Sequence, residues 1–324
     1  MPTSTIERAP VETREHEKYD RLIASAQALP KLRVAVTHPC DEASLGAALE
    51  AAALAIIEPI FVGPRAKIAA AAAALGADIT AFRLVDAEHS HDAAERAVAL
   101  ARAGEVEALM KGSLHTDELM AAVVRRDGGL RTARRLSHCF VMDVPGHATP
   151  LIVTDAAINI APSLEEKRDI TQNAIDLARA LGVETVRVAI LSAMETVNAK
   201  VPSTLDAAAL CKMADRDQIT GAVLDGPLAL DNAIDLGAAR IKKIRSPVAG
   251  QANVLVVPDL AAGNMLAKSL TFLADADAAG IVLGARVPII LTSRADARLT
   301  RLASCAVASL VAAAERARRP LPEV

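Results

Sequence analysis

A two-domain α/β architecture, built on parallel sheets covered by helices, is the fold class this sequence predicts, and three observations carry it. Short β-branched runs alternate with alanine-rich helical stretches from about residue 31 onward. The strand-like runs are more numerous than one small sheet comfortably holds. At 324 residues, the chain also exceeds one ordinary core and suits two modest domains.

The alternation opens with KLRVAVTHP as a strand, DEASLGAALEAAALA as a helix, EPIFVG as a strand and PRAKIAAAAAALG as a helix. VEALMKGSL, HCFVMDVP and TPLIVTDAAIN read as further strands, with PGHATP interrupting the last two as a plausible crossing point between domains. Ser163 followed by Glu166 forms a capping box before a helix carrying Ile170, Ala174 and Leu177, which Gly182 ends. After the strand VRVAILSAM, the run Pro202-Ser203-Thr204 predicts a helix capped by Ser203 and carrying Leu205, Ala208, Ala209 and Met213. ITGAVLDG, NVLVVPD and PIILTSR follow as strands. The apolar stretch Leu302 to Ala314, closed by Arg301 and Glu315, is shorter than the roughly 18 residues of a membrane span and reads as a core-facing helix.

Composition narrows the function. Hydrophobic residues make up 52% of the chain, but much of that is alanine, which favours helix and adds little apolar area. The net charge of -3 comes from 36 basic and 39 acidic residues spread along the chain, so no nucleic-acid footprint forms. With 2% aromatics, no Trp and only Tyr19 as tyrosine, a base-stacking platform is absent as well. The N-terminal run MPTSTIERAPVETREHEKYD lacks the apolar centre of a secretory signal and reads as a polar arm. Cys40, Cys139, Cys211 and Cys305 stand far apart without a CxxC, the pattern of reduced core thiols in a cytoplasmic protein rather than of disulfides or a zinc site.

In open parallel sheets, ligands bind beyond the C-terminal strand ends. There, Lys111-Gly112-Ser113 and His115-Thr116-Asp117 combine a cation, a flexible backbone and a helix start suited to phosphate; the plain reading is a capped helix with a solvated lysine. Ser293-Arg294-Ala295-Asp296 delivers a hydroxyl, a bidentate cation and a carboxylate after PIILT; the plain reading is an N-capped final helix. A third cluster, Ser246-Pro247-Val248-Ala249-Gly250-Gln251-Ala252-Asn253, feeds the strand Val254 to Val257, with Asp259, Gly263 and Asn264 beyond it. Its small side chains permit close ligand approach. His89-Ser90-His91 beside Asp92 lacks a third metal ligand at defined spacing and reads as a solvated loop. Neither GxGxxG after a strand, nor GxxxxGK[ST], nor GxSxG occurs.

Beside these residues, the segments LMKGSLHTDELM, GLRTARRLSHCFVMDVPG, VNAKVPSTLDAAALCKMADR, GAVLDGPLALDNAI, SPVAGQANVLVVPDLAAGNMLAKSL and VPIILTSRADA stand in order from about residue 106 to the C-terminus. The chain in this respect resembles phosphate acetyltransferases and, more closely, phosphate butyryltransferases. The resemblance implies a fold similar to isocitrate and isopropylmalate dehydrogenases, usually homodimeric, with an interdomain cleft. It divides the chain into a discontinuous domain of residues 1–147 plus 286–324 and an inserted domain of 148–285. It implies transfer of a short acyl group between coenzyme A and phosphate, with both as substrates and no tightly bound cofactor or metal.

Carried over residue by residue, Ser293 and Arg294 match the family's serine-arginine pair, and Asp296 becomes the base in place of a carboxylate that aligns with Thr300. A second phosphate-binding arginine aligns with Met120, which leaves Lys111, Arg125 or Arg126 to meet phosphate. Lys111, Gly112, Ser113, His115 and Thr116 form the phosphate and acyl end. Ser246, Pro247, Ala249, Gly250, Asn253, Asp259, Gly263 and Asn264 form the coenzyme A side. Two alternatives stand beside this reading. An NAD- and metal-dependent hydroxy-acid dehydrogenase on the same fold would need a carboxylate cluster that Asp155, Asp225, Asp231 and Asp259 do not form by spacing. A non-catalytic acyl-CoA-binding protein would not need Ser293 and Arg294.

Overall fold

The computed structural model describes residues 17–292 and 296–318. In chain order the elements are α1 (Glu17–Gln27), β1 (Leu32–Thr37), α2 (Glu42–Ala53), β2 (Ile57–Gly63), α3 (Arg65–Ala74), β3 (Leu84–Asp86), α4 (Ser90–Arg102), β4 (Ala108–Lys111), α5 (Thr116–Val124), β5 (Ser137–Asp143) and β6 (Leu151–Thr154). There follow α6 (Leu164–Ala180), β7 (Arg187–Leu191), α7 (Pro202–Ala214), β8 (Val223–Leu228), α8 (Leu230–Ile234), α9 (Leu236–Ile241), β9 (Val254–Val256), α10 (Leu260–Leu273), β10 (Asp277–Leu283), β11 (Ile289–Ile290) and α11 (Arg298–Arg318). No helix among the described residues is long and apolar enough to cross a membrane.

The expected parallel pairing holds in the two wings, but the described strands join in one sheet rather than two. The strands form one eleven-stranded, mostly parallel sheet in the order β3-β2-β1-β4-β11-β10-β5-β6-β9-β7-β8. Its centre is antiparallel: β10 runs against both β11 and β5, and β5 runs against β6. PGHATP therefore connects two adjacent antiparallel strands. Strands of the parallel wings are apolar at nearly every position because both faces are covered. On β1, Val34 and Val36 face one side while Ala35 faces the other; on β9, Val254 and Val256 oppose Leu255.

One face carries a continuous core under α1, α2, α3, α6, α7 and α11. The other face carries two separate cores, one beneath α4 and α5 and one beneath α8, α9 and α10. Between them no described helix covers the β5–β10 pair, which becomes the floor of a cleft. The Leu302 to Ala314 stretch is the buried body of α11, as its apolar composition requires.

Ser163 caps α6, its hydroxyl accepting from the Glu166 amide while the Glu166 carboxylate accepts from the Ser163 amide, as the capping box predicts. The cap of α7 differs. Pro202 takes the first helical turn, Val201 is the cap residue, and the Ser203 hydroxyl instead pairs with the Ser192 hydroxyl at 2.8 Å. Proline is tolerated there because the first helical N–H has no intrahelical partner.

α1 is fastened to the antiparallel centre by two buried side chains. The Tyr19 hydroxyl donates to the Val141 carbonyl at 2.6 Å and accepts from the Ala279 amide at 2.7 Å, bridging β5 and β10. The Lys18 ammonium lies 2.8 Å from the Asp143 carboxylate and donates to the carbonyls of Val144 and His147, both at 2.8 Å. On the face opposite the cleft, these contacts hold together the strand pair that forms its floor.

Candidate active site

A cleft of about 790 Å³ opens over the β5–β10 pair, between the start of α5 on one side and α10 on the other. Apart from His138 on β5 its floor is apolar, with Phe140 from β5, Ala278 from β10 and Leu291 just past β11, and Leu114 packs in from the α5 side. Its polar groups enter from the walls: Lys111, His115 and Thr116 on the α5 side, Asn264, Lys268 and Thr271 from α10, and Asp277, Asp296 and Thr300 at the mouth.

Lys111 ends β4 and is 8% exposed, its ammonium donating to the Gly112 carbonyl at 3.3 Å. The next residue is glycine for a steric reason. A Cβ on Gly112 would meet the carbonyl oxygens of Thr37 and His38 at 2.5 and 2.6 Å, where the chain runs against the end of β1. Ser113 turns toward that neighbour: its hydroxyl donates to the His38 carbonyl at 2.8 Å and lies 3.0 Å from the His38 imidazole. His115 then caps α5, with the Glu118 carboxylate accepting from its amide, so the first turn of a helix faces the cleft. Unpaired N–H groups and the helix dipole favour an anion at such a position.

The small-residue cluster Ser246 to Asn253 sits elsewhere. It precedes β9, and a loop before a parallel strand lies at the opposite sheet edge from the loops after it. Ser246 closes its own turn by accepting from the amides of Val248 and Ala249, and Pro247 is exposed beside it. Gly250 adopts a φ of 77° and packs so closely on α9 that a Cβ would lie 2.6 Å from the Leu236 Cα. Asn253 ties β9 to β7, accepting from the Arg187 amide and donating to the Thr185 carbonyl. Asp259 caps α10 by accepting from the Ala262 amide, and Gly263 brings that helix within 2.6 Å of the Asp155 carbonyl, measured from the Cβ it lacks.

Of the site residues named from sequence, the structure gathers Lys111, His115, Thr116, Asn264 and Asp296 around one cleft. It does not bring Gly112, Ser113, Ser246, Pro247, Ala249, Gly250, Asn253, Asp259 or Gly263 to the lining. Ser293 and Arg294 lie outside the described residues; Thr292 and Asp296, which bracket them in the chain, both line the cleft. Arg125 pairs with Glu95 on the surface, and Met120 packs against the core beneath α4 and α5. His89 caps α4, its ring nitrogen accepting from the Asp92 amide.

Sequence reasoning passed over His138, although a histidine inside the apolar run HCFVMDVP was a visible signal. It is the second residue of β5, lines the cleft and is 1% exposed. Burial pushes its pKa down to about 4 against the opposing pull of Asp155. The Asp155 carboxylate is itself occupied, accepting from the amides of His138, Ala157 and Ile158 and from the Asn159 side chain. Burial also holds the thiols in their protonated form, pushing Cys40 up to about 11 and Cys139, Cys211 and Cys305 to about 12. A thiolate nucleophile from the protein is disfavoured accordingly.

The depressed His138 value has a consequence for stability. Between the ordinary value of 6.5 and the folded value of about 4, the unfolded chain binds a proton that the folded site refuses. This histidine therefore contributes a loss of stability as pH falls through that window. Urea unfolding at stepped pH checks it: the wild type loses stability on acidification, and His138→Gln shows a shallower slope. Identical slopes would contradict the assignment.

Comparison with known proteins follows the same segments. Residues 87–309 match the family described as phosphate acetyl/butaryl transferase. The phosphate acetyltransferase of Rhizobium meliloti is 67% identical over 300 residues, covering 93% of this chain and 95% of that protein. The phosphate butyryltransferase of Clostridium acetobutylicum is 38% identical over 296 residues, covering 91% of this chain and 98% of that protein. The crystal structure of a branched-chain phosphotransacylase from Enterococcus faecalis V583 superposes with a TM-score of 0.75 at 28% identity, covering 87% of this chain and 99% of that one.

Proposed function

Because this chain belongs to the phosphate acetyl/butaryl transferase family, we propose that it reversibly transfers a short acyl group, acetyl or butyryl, between coenzyme A and inorganic phosphate. The observation that carries this reading is the cleft itself, where Lys111 and the start of α5 offer an anion site beside an apolar floor, with Asp296 at the mouth. Phosphate suits the first and the acyl chain suits the second.

In the direction of thioester synthesis, the coenzyme A thiol loses its proton to Asp296 and the thiolate attacks the carbonyl of an acyl phosphate. The carbon–oxygen bond to phosphate breaks, and phosphate departs toward Arg294 and Lys111. The reverse reaction uses a phosphate oxygen as nucleophile on the thioester. Ser293 and Arg294 stabilise charge growing on the carbonyl and phosphoryl oxygens, an effect typically worth about 2.7–4 kcal/mol per donor. Holding both substrates in line makes a covalent acyl-enzyme unnecessary. His115, Thr116 and Asn264 position the substrates, while Gly112 and Gly263 allow the backbones behind them to approach.

The same reading divides the chain into residues 1–147 with 286–324 and an inserted 148–285, in the manner of isocitrate and isopropylmalate dehydrogenases, with activity in the cytoplasm as a homodimer. The two separate cores flanking the cleft support that division, and the four unbridged cysteines suit a reducing compartment.

The test is a thiol-release assay with phosphate and acyl-CoA substrates from acetyl upward. Release with short chains that declines as the chain lengthens is the expected result. One methylene shifts discrimination by only about 1–3 kcal/mol, so neighbouring chain lengths such as acetyl and propionyl differ by degree rather than all-or-none. No release with any chain length contradicts the reading.

A further inference from the structure

The mechanism above leaves one buried polar group of the cleft without a role. The backbone of His138 is fully engaged, its amide donating to Asp155 at 3.1 Å and its carbonyl accepting from the Thr154 hydroxyl at 2.9 Å. Its imidazole is not. Nδ1 is buried with no hydrogen-bond partner, and no hydrogen bond reaches the ring from any described residue. Leaving such a group unpaired costs about 1–3 kcal/mol, and with Nδ1 unpaired the other ring nitrogen, Nε2, is the one left to make a ligand hydrogen bond.

The surroundings of the ring are shaped to receive one. Phe140 meets it edge to face, with centroids 4.4 Å apart and planes at 73°. Across the strand pair, Gly280 has no side chain, and a Cβ there would come within 3.0 Å of His138 Nε2. Glycine thus leaves the Nε2 edge unobstructed on the face of the sheet that carries the cleft. A buried orphan lone pair is better tolerated than a buried orphan N–H, so the proton belongs on Nε2 and the lone pair on Nδ1. The ring stays neutral at physiological pH, and its neighbours on the floor, Leu114, Phe140, Ala278 and Leu291, are apolar. A neutral donor in that setting suits a polarised carbonyl rather than a charged phosphate, which the Lys111 wall serves.

We propose that His138 is a further catalytic residue of the acyl-transfer site, donating a hydrogen bond from Nε2 to the carbonyl oxygen of the bound acyl group. The assignment rests on the acyl-transfer reading above. As the thiolate adds to the carbonyl carbon, that oxygen gains negative charge, and a donor fixed by strand geometry strengthens its bond at that moment without reorganising.

Glutamine and asparagine separate the two ring nitrogens, because the Gln amide reaches where Nε2 sits and the Asn amide only where Nδ1 sits. With acetyl-CoA and phosphate as substrates, His138→Asn is expected to lower kcat by on the order of a hundredfold. Its KM for phosphate stays within about threefold of wild type, and His138→Gln retains kcat within about tenfold. His138→Phe, which keeps the ring volume and removes both nitrogens, gives the same loss as Asn and serves if that variant does not fold. The proposal is overturned if the Asn or Phe variant keeps near-wild-type kcat. It is equally overturned if Gln and Asn lose activity to the same extent with a matching fall in melting temperature, the mark of a structural role. Wild-type protein without phosphate-dependent release removes the acyl-transfer reading itself, whereas active wild type with indifferent variants removes only His138.

Discussion

Arg294→Ala lowers turnover by on the order of a hundredfold or more in a protein that still folds. On the proposed mechanism, the loss of Arg294 takes a cation from the departing phosphate; its chain neighbours Thr292 and Asp296 line the cleft. A guanidinium matches two phosphate oxygens at once and keeps its charge throughout turnover. Arg294→Lys keeps the charge but loses the paired geometry, and falls between wild type and alanine. Steady-state kinetics with acetyl-CoA and phosphate read the effect, with circular dichroism verifying the fold. A folded alanine variant with near-normal acyl phosphate formation would remove Arg294 from the mechanism.

Lys18→Met is expected to produce a large loss of stability, about 3–5 kcal/mol, because it breaks a buried ion pair. The Lys18 and Asp143 side chains are only 10% and 3% exposed, and Lys18 also satisfies two backbone carbonyls. Methionine keeps the packing of the stem but takes the Lys18 ammonium away from the buried Asp143 carboxylate and from both carbonyls. The urea midpoint falls with the slope unchanged, and adding Asp143→Leu recovers part of the loss, since the buried carboxylate is then gone. A single variant as stable as wild type would show that α1 is not fastened in this way. Because Lys18 and Tyr19 hold the reverse side of the cleft floor, destabilising α1 also lowers activity before global unfolding.

How far the sequence alone reached depends on where each residue sits. The parallel wings were legible because strands covered on both faces are apolar at nearly every position, as Val34 to Val36 and Val254 to Val256 show. The antiparallel centre was not. β10 begins Asp277-Ala278-Ala279-Gly280, a run of low strand propensity that is held by its pairing with β5 and by Tyr19 rather than by its own preference.

The site divides along the same line. Lys111, His115 and Thr116 follow a parallel strand, where the strand-end rule looks for ligands, and they line the cleft. The run Ser246 to Asn253 precedes a strand, and its small residues answer to turn closure and helix packing at the other sheet edge. Its strong resemblance to family segments therefore reflects local backbone requirements as much as chemistry. His138 escaped because it faces the cleft from within a strand, at the start of β5, rather than from a loop after a parallel strand, and its place on the floor follows only from the antiparallel pairing with β10.

The central claim concerns a bond exchange, and phosphorus NMR of a mixture of acetyl-CoA, inorganic phosphate and the protein observes that exchange directly. The account predicts a new acyl phosphate resonance that grows in step with free thiol, requires phosphate and reverses when coenzyme A is supplied in excess. Thiol release that proceeds equally without phosphate, or phosphate that remains unacylated while thioester disappears, would contradict it.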